Sequence, residues 1–203
     1  MLMPQLPDEW DETRGTLQAY SQALTALPRA AGDPNDRWTR VAMRVAPNGL
    51  VTAPTRLADG EDLIGIIDLA VHEVILQVGD DVDRIDMTEG PSASTIGEAA
   101  LTIAARHGST IEVDRERFAG SDAREYEPGH ARAFLSAATF VSGAFSEMNA
   151  SVPGEVTGPH LWPHGFDIAT EWFSPVRVAL GEGDASAQIA VGWYPQGDGY
   201  FYA

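Results

Sequence analysis

The sequence predicts an α+β fold, an antiparallel β-sheet of meander hairpins packed against about three helices, in a single domain over residues 1–203. Three observations predict it. Short alternating runs come in blocks punctuated by turn residues, helical stripes lie between the blocks rather than after each strand, and Asn48-Gly49 separates two strand-like runs. No repeat interrupts the chain, and no linker is long enough to separate domains.

The elements follow in order. Asp8 precedes Trp10, Thr13, Leu17, Tyr20, Leu24 and Leu27, whose spacing of threes and fours predicts a helix over 9–27 that Pro28 stops. A polar connection over 30–36 follows. Trp38, Arg40, Ala42 and Arg44 then alternate with Thr39, Val41, Met43 and Val45, which predicts a strand that turns at Asn48-Gly49 and resumes at Leu50. Runs over 63–69, 73–78 and 82–87 extend the meander. Ser92 or Ser94 caps a second helix bearing Ile96, Ala100 and Ile103, which closes at Gly108. Ile111 and Val113 predict a return strand.

Glu127-Pro128 opens the third and longest helix, with the stripe Ala131, Phe134, Leu135, Ala138, Val141, Phe145 and Met148, ending before Pro153. Beyond it, 156–162, 166–172, 176–180, 187–194 and 200–202 read as strands, with Pro and Gly in the gaps.

Composition excludes several kinds of chemistry. With no cysteine there is no disulfide, thiolate metal site or cysteine nucleophile. Every basic side chain is arginine, so Schiff-base and pyridoxal chemistry have no lysine to use. A net charge of −17 repels phosphate backbones, and nucleic acid is not an expected partner. No apolar run reaches the roughly 18 residues of a membrane span, and the start lacks the layout of a signal peptide, so a soluble cytoplasmic protein is expected. Phosphate-loop, dinucleotide, nucleophile-elbow and zincin motifs are missing, and no cofactor is expected.

Between Asp59 and Glu89 ten carboxylates face one arginine, Arg84. The ordinary reading is a sheet edge kept unpaired by charge; an acidic adaptor surface for a basic partner is the alternative.

One constellation gathers titratable and aromatic groups: His160-Leu161-Trp162-Pro163-His164-Gly165-Phe166-Asp167, continuing to Glu171 and Trp172. Its hairpin register decides its chemistry. With a two-residue loop at Pro163-His164, His160 lies opposite Asp167 on one face, a pair fit for proton transfer or metal ligation. With Gly165 as a bulge, Trp162 meets Phe166, His160 meets Ile168, and Asp167 and Glu171 turn to the other face. A type I turn followed by a left-handed glycine favours the bulged register. In the two-residue register His160 and Asp167 are the candidate catalytic residues, and in the bulged one no such pair exists; His160, Trp162, Phe166, Trp10 and His130 are the candidate ligand contacts. His160, His164 and Asp167 are a weaker candidate metal set, since His164 at the loop tip points away. The tail from Trp193 to Tyr202 places five aromatics around a tight turn, where cross-strand ring pairing is the common cause.

Leu6-Pro7 with Trp10 and Thr13, Trp162-Pro163 with Phe166-Asp167, the hairpin at Gly49 to Thr52 and the Tyr/Phe-rich end resemble an uncharacterised bacterial family classed as a domain of unknown function. The likeness spans most of the chain. It implies the same fold and weight on the tryptophan–aspartate turn, and it brings no activity or catalytic residues. His164 stands one place earlier than the histidine of that family's turn. The expected function is binding of a small-molecule ligand beside the Trp162 to Asp167 turn, with Trp10 and the terminal aromatics nearby. The alternatives are a metal-assisted or general acid/base hydrolase using His160 and Asp167 with His130 or Glu171, and the acidic adaptor. Association into a homo-oligomer is left open.

Overall fold

Pro28 does not end the first helix: α1 runs Asp11–Ala31 and carries Pro28 buried one turn from its C-terminus. A proline there removes one backbone hydrogen bond, and its burial in the core offsets that loss so close to an end that already has unpaired carbonyls. The computed structural model describes residues 2–32, 38–180, 183–197 and 199–203; residues 33–36 of the expected polar connection and Asp198 of the terminal turn lie outside them. Trp38 takes a left-handed backbone (φ 56°) and starts a 3-10 turn, Thr39–Val41, so the predicted strand begins only at Met43. The alternation over 38–45 is therefore half turn and half strand, because the chain must first descend from the end of α1 to the sheet.

The first hairpin pairs β1 (Met43–Ala46) with β2 (Gly49–Thr52) across Pro47-Asn48. Gly49 opens β2, where a Cβ would run into the Ile67 carbonyl of the next strand. The meander continues through β3 (Thr55–Arg56), β4 (Asp62–Asp68), β5 (Glu73–Val78) and β6 (Asp81–Asp86). Helix α2 spans Ala93–Arg106, with the Ser92 hydroxyl accepting from the Thr95 N–H at 3.1 Å, and Gly108 follows it in the left-handed region. Ile111 and Val113 form no strand. They pack half-buried against the core from an irregular segment that leads to a 3-10 turn, Arg115–Phe118. Two apolar residues at alternate positions bury a side without needing a pairing partner.

Helix α3 covers Pro128–Ser151 with Glu127 as its cap, as its opening residues predict. The predicted strand over 156–162 is divided at Gly158-Pro159 into β7 (Glu155–Val156) and β8 (His160–Trp162), both paired with β9 (Asp167–Leu180). Conversely, the two strands predicted at 166–172 and 176–180 are one. Pro175 is tolerated because the register with β10 (Gly183–Tyr194) slips between Ser186 and Gln188, so its missing N–H falls at a bulge. The last strand is β11 (Tyr200–Tyr202).

All pairings are antiparallel, in the order β11-β10-β9-β8-β1-β2-β4-β5-β6, with β3 on β4 and β7 on β9. The three helices cover one face, where Met43, Leu50, Ile67, Leu161 and Ile168 are buried. Phe134 of α3 centres an aromatic stack there, with ring centroids 5.4 Å from Trp10, 5.2 Å from Phe166 and 6.4 Å from Trp193. The α+β prediction and its three helices agree with this architecture. Among the described residues no helix is long and apolar enough to cross a membrane.

The acidic stretch is an edge in fact: β6 ends the sheet. Asp81 and Asp83 share its helix-facing side with Val78 and Leu76 and are bound by Arg106 of α2, at 3.1 and 2.9 Å. Arg84 takes Glu73 at 2.7 Å, and His107 takes Asp59 at 2.6 Å. Much of the local negative charge is thus answered inside the chain.

Candidate functional site: the cleft at the β8–β9 hairpin

The β8–β9 connection is neither predicted loop. Trp162 pairs with Asp167, Leu161 with Ile168 and His160 with Ala169, so four residues, Pro163-His164-Gly165-Phe166, make the turn. The Phe166 N–H donates to the Trp162 carbonyl at 2.7 Å, and Phe166 itself, not Gly165, adopts the left-handed backbone (φ 59°). A bulky residue there costs about 1–2 kcal/mol. Full burial of its ring returns roughly 1.5–3 kcal/mol, and stacking adds about 0.5–1.5 kcal/mol. The anchor outweighs the backbone preference for glycine. Helix α1 fixes the loop from outside, with Gln18 Nε2 donating to the His164 carbonyl at 2.9 Å and Gln22 Nε2 to the Pro163 carbonyl at 3.1 Å.

This register corrects the favoured bulged reading. His160, Trp162, Asp167, Ala169 and Glu171 share the face turned away from the helices, while Leu161, Ile168 and Thr170 face them. His160 and Asp167 are diagonal neighbours, about 7–8 Å apart at the backbone. They form no hydrogen bond: among the described residues His160 Nδ1 is buried without a partner, and Asp167 is bonded instead by the hydroxyl of Tyr202. Burial lowers the pKa of His160, against a smaller opposing effect of the Gly158 backbone. The histidine lines a separate hollow beside Arg44, Thr52 and Pro54, with its ring 6.5 Å from Trp162.

Asp167 lines a different cavity of about 480 Å³. Its walls are Trp162 and His164 from the hairpin, whose rings lie 6.3 Å apart, and Trp38 and Arg29 from the segments around the end of α1. Its floor is the sheet, with Asp167, Glu171 and Gln188 as polar groups and Ala169 and Ala190 as small ones. Asp167 is only 9% exposed. Tyr202 reaches it across Gly192, its cross-strand partner, where a Cβ would fall inside the tyrosine ring. Burial first, and the acid second, raise the pKa of Tyr202, so the hydroxyl stays protonated and donates. Trp38 is 47% exposed, with the Arg40 guanidinium 5.2 Å from its ring centroid. Of the three non-glycine residues with positive φ among the described residues, Trp38 lines this cavity and Phe166 closes its hairpin, a concentration of backbone strain typical of functional sites.

The structure redistributes the remaining candidates. Trp10 and Phe166, expected at the ligand, belong to the aromatic core; their inward rings hold the hairpin rather than line the cleft. His130, in the first turn of α3, lines a separate acidic hollow with Asp8, Glu12 and Glu127. His160, His164 and Asp167 do not converge, and among the described residues no group of three His, Asp or Glu side chains gathers as metal ligands would. Sequence reasoning missed Arg29, Trp38 and Gln188. Arg29 fell beyond the expected helix end and Trp38 was assigned to a strand. Tyr202 was legible only as a paired ring, although Gly192 opposite it was a signal that a side chain crosses there.

No curated protein and no solved structure matches the chain. A family model, that of the family of unknown function DUF5996, matches residues 3–191. With most of its length inside that match, the chain belongs to the DUF5996 family.

Proposed function

We propose that this protein, acting as a soluble cytoplasmic protein, binds a small polar ring compound in the cleft at the loop end of the β8–β9 hairpin. One observation carries the reading: Asp167, nearly buried and, among the described residues, hydrogen-bonded through its side chain only by Tyr202, lies on the floor of a 480 Å³ cavity between the walls formed by Trp162 and Trp38. Carboxylates are rarely left so buried with a single donor, and the second oxygen of Asp167 accepts a hydroxyl or amino hydrogen from a guest. A tryptophan face supplies the apolar area that a sugar or heteroaromatic ring covers. Glu171 and Gln188 add polar contacts farther along the floor.

The test is a ligand-observed NMR screen of nucleosides, sugars, their phosphates and small aromatic acids, followed by tryptophan fluorescence titration of the binders. Trp162→Ala and Asp167→Asn are each expected to weaken the binders at least about tenfold, the loss of one buried charge-assisted hydrogen bond or one ring contact. Binders retained equally by both variants, or no binder for the wild type at millimolar concentration, would sink the reading.

A further inference from the structure

Beside the main cleft lies a smaller cavity of about 120 Å³, walled by Gln22, Thr25 and Arg29 of α1, by Arg117 of the 3-10 turn Arg115–Phe118, and by Pro163 and His164 of the hairpin loop. The two spaces share Arg29, Val41 and His164 in their linings, so they adjoin. We propose that this side cavity holds the anionic group, a phosphate or carboxylate, of the ligand whose ring lies against Trp162; the inference rests on the cleft reading above.

The charge distribution supports it. In a chain of net charge −17, Arg14, Arg56, Arg84, Arg106 and Arg115 are each held by a carboxylate. Arg29 is half-buried and has no carboxylate partner among the described residues. Arg117, exposed on the facing wall, is tied only loosely to Asp114 at 3.5 Å. Burial lowers the pKa of Arg29, and the positive charges of Arg117 and Arg40 add to that effect. Cations brought together against their repulsion, with an acid-rich surface elsewhere, are relieved by an anion between them. The position of Arg29 in the last turn of α1, where helix carbonyls favour a cation, answers some of its charge and leaves its forked donors available.

Size agrees as well. At about 120 Å³ the side cavity has a quarter of the 480 Å³ of the cleft, and it has room for one tetrahedral or planar oxyanion. The ring is left to the larger space, where Trp162 and Trp38 stand, and the donor group of the guest meets Asp167 beyond it. The ligand class is thus a ring compound with an oxyanion at one end and a hydroxyl or amino group at the other.

The experiment titrates inorganic phosphate, and separately acetate, into the full chain against chloride at matched ionic strength. Thermal unfolding and the Arg29 Nε–Hε NMR signal are followed in each titration. Phosphate or acetate is expected to shift that signal and raise the unfolding midpoint. Arg29→Gln is expected to weaken the anion about tenfold or more. Arg117→Gln weakens it less, Arg29→Lys restores some of the binding, and Arg84→Gln on the distant β6 leaves it unchanged. The arm that responds separates a phosphate guest from a carboxylate one. Failure of both anions to move the Arg29 signal, or an equal response from Arg29→Gln, overturns the inference. Neutral ring compounds that still bind at Trp162 would then leave the cleft reading standing. Anion binding at Arg29 with no ring compound at Trp162 would instead remove the cleft reading and keep the anion pocket.

Discussion

Tyr202 hydrogen-bonds Asp167 across an intervening strand. The tyrosine sits on β11 and the acid at the start of β9, and the ring passes over Gly192 of β10 to make the contact. Tyr202→Phe keeps the ring and removes the donor. It is expected to destabilise the protein by about 1–3 kcal/mol, the cost of an unpaired buried acceptor, unless a bound ligand supplies the missing hydrogen. Denaturant unfolding with and without a cleft binder measures both effects.

Gly192→Ala tests the same contact from the other side. The added Cβ has no room beneath the Tyr202 ring and lifts it off the sheet. Loss of the hydrogen bond should appear as shifted Tyr202 ring resonances together with a loss of stability about the size of that of Tyr202→Phe. An unmoved ring would show that β11 yields instead.

Phe134 touches Trp10, Phe166 and Trp193 and is fully buried. Phe134→Ala is expected to cost about 3–5 kcal/mol, from lost burial and the cavity left among the three rings. Because Phe166 closes the hairpin, ligand affinity should also fall before the fold is lost. Chemical denaturation paired with a binding isotherm at low denaturant checks the order of the two losses.

The pKa of His107 is raised, first by its hydrogen bond to Asp59 and next by that to Asp81. A raised folded value means that its stabilisation is full below the ordinary imidazole pKa of about 6.5 and is lost as pH climbs through the folded value. His72 and His160 run the other way: burial lowers both, so protonating them costs stability as pH falls below the same reference. His107→Gln should therefore flatten the alkaline side of a midpoint-against-pH curve and leave the acid-side decline in place. A variant whose curve parallels the wild type would refute the assignment.

The sequence showed the helices well because their stripes are long; α3 could be read from Glu127-Pro128 to just short of Pro153. It misjudged positions where tertiary burial overrode a local rule. Pro28 continues a helix because its ring is buried, and Pro175 continues a strand because it lies in a bulge of its own strand, β9. The site turned on parity. A loop of two or four residues puts His160 and Asp167 on one face, and a loop of three puts them on opposite faces. Gly165 argued for three, and the depth available to the Phe166 ring, which only the packed core reveals, made it four. Trp162 and Asp167 were legible as the centre of interest. Arg29 and Trp38 were not, since what brings them to the cleft is the path of the chain after α1 and no spacing within it.

The two margins of the sheet are unlike. At β6 the outermost row is dense with acids, a surface that repels its own copy. At β11 it is three residues long and begins with exposed Tyr200 and Phe201. Polymerisation by edge-to-edge stacking needs a welcoming border on both sides of each subunit, and this chain has only one. A contact made through β11 would therefore close on itself as a pair, with no free end from which a fibre could lengthen.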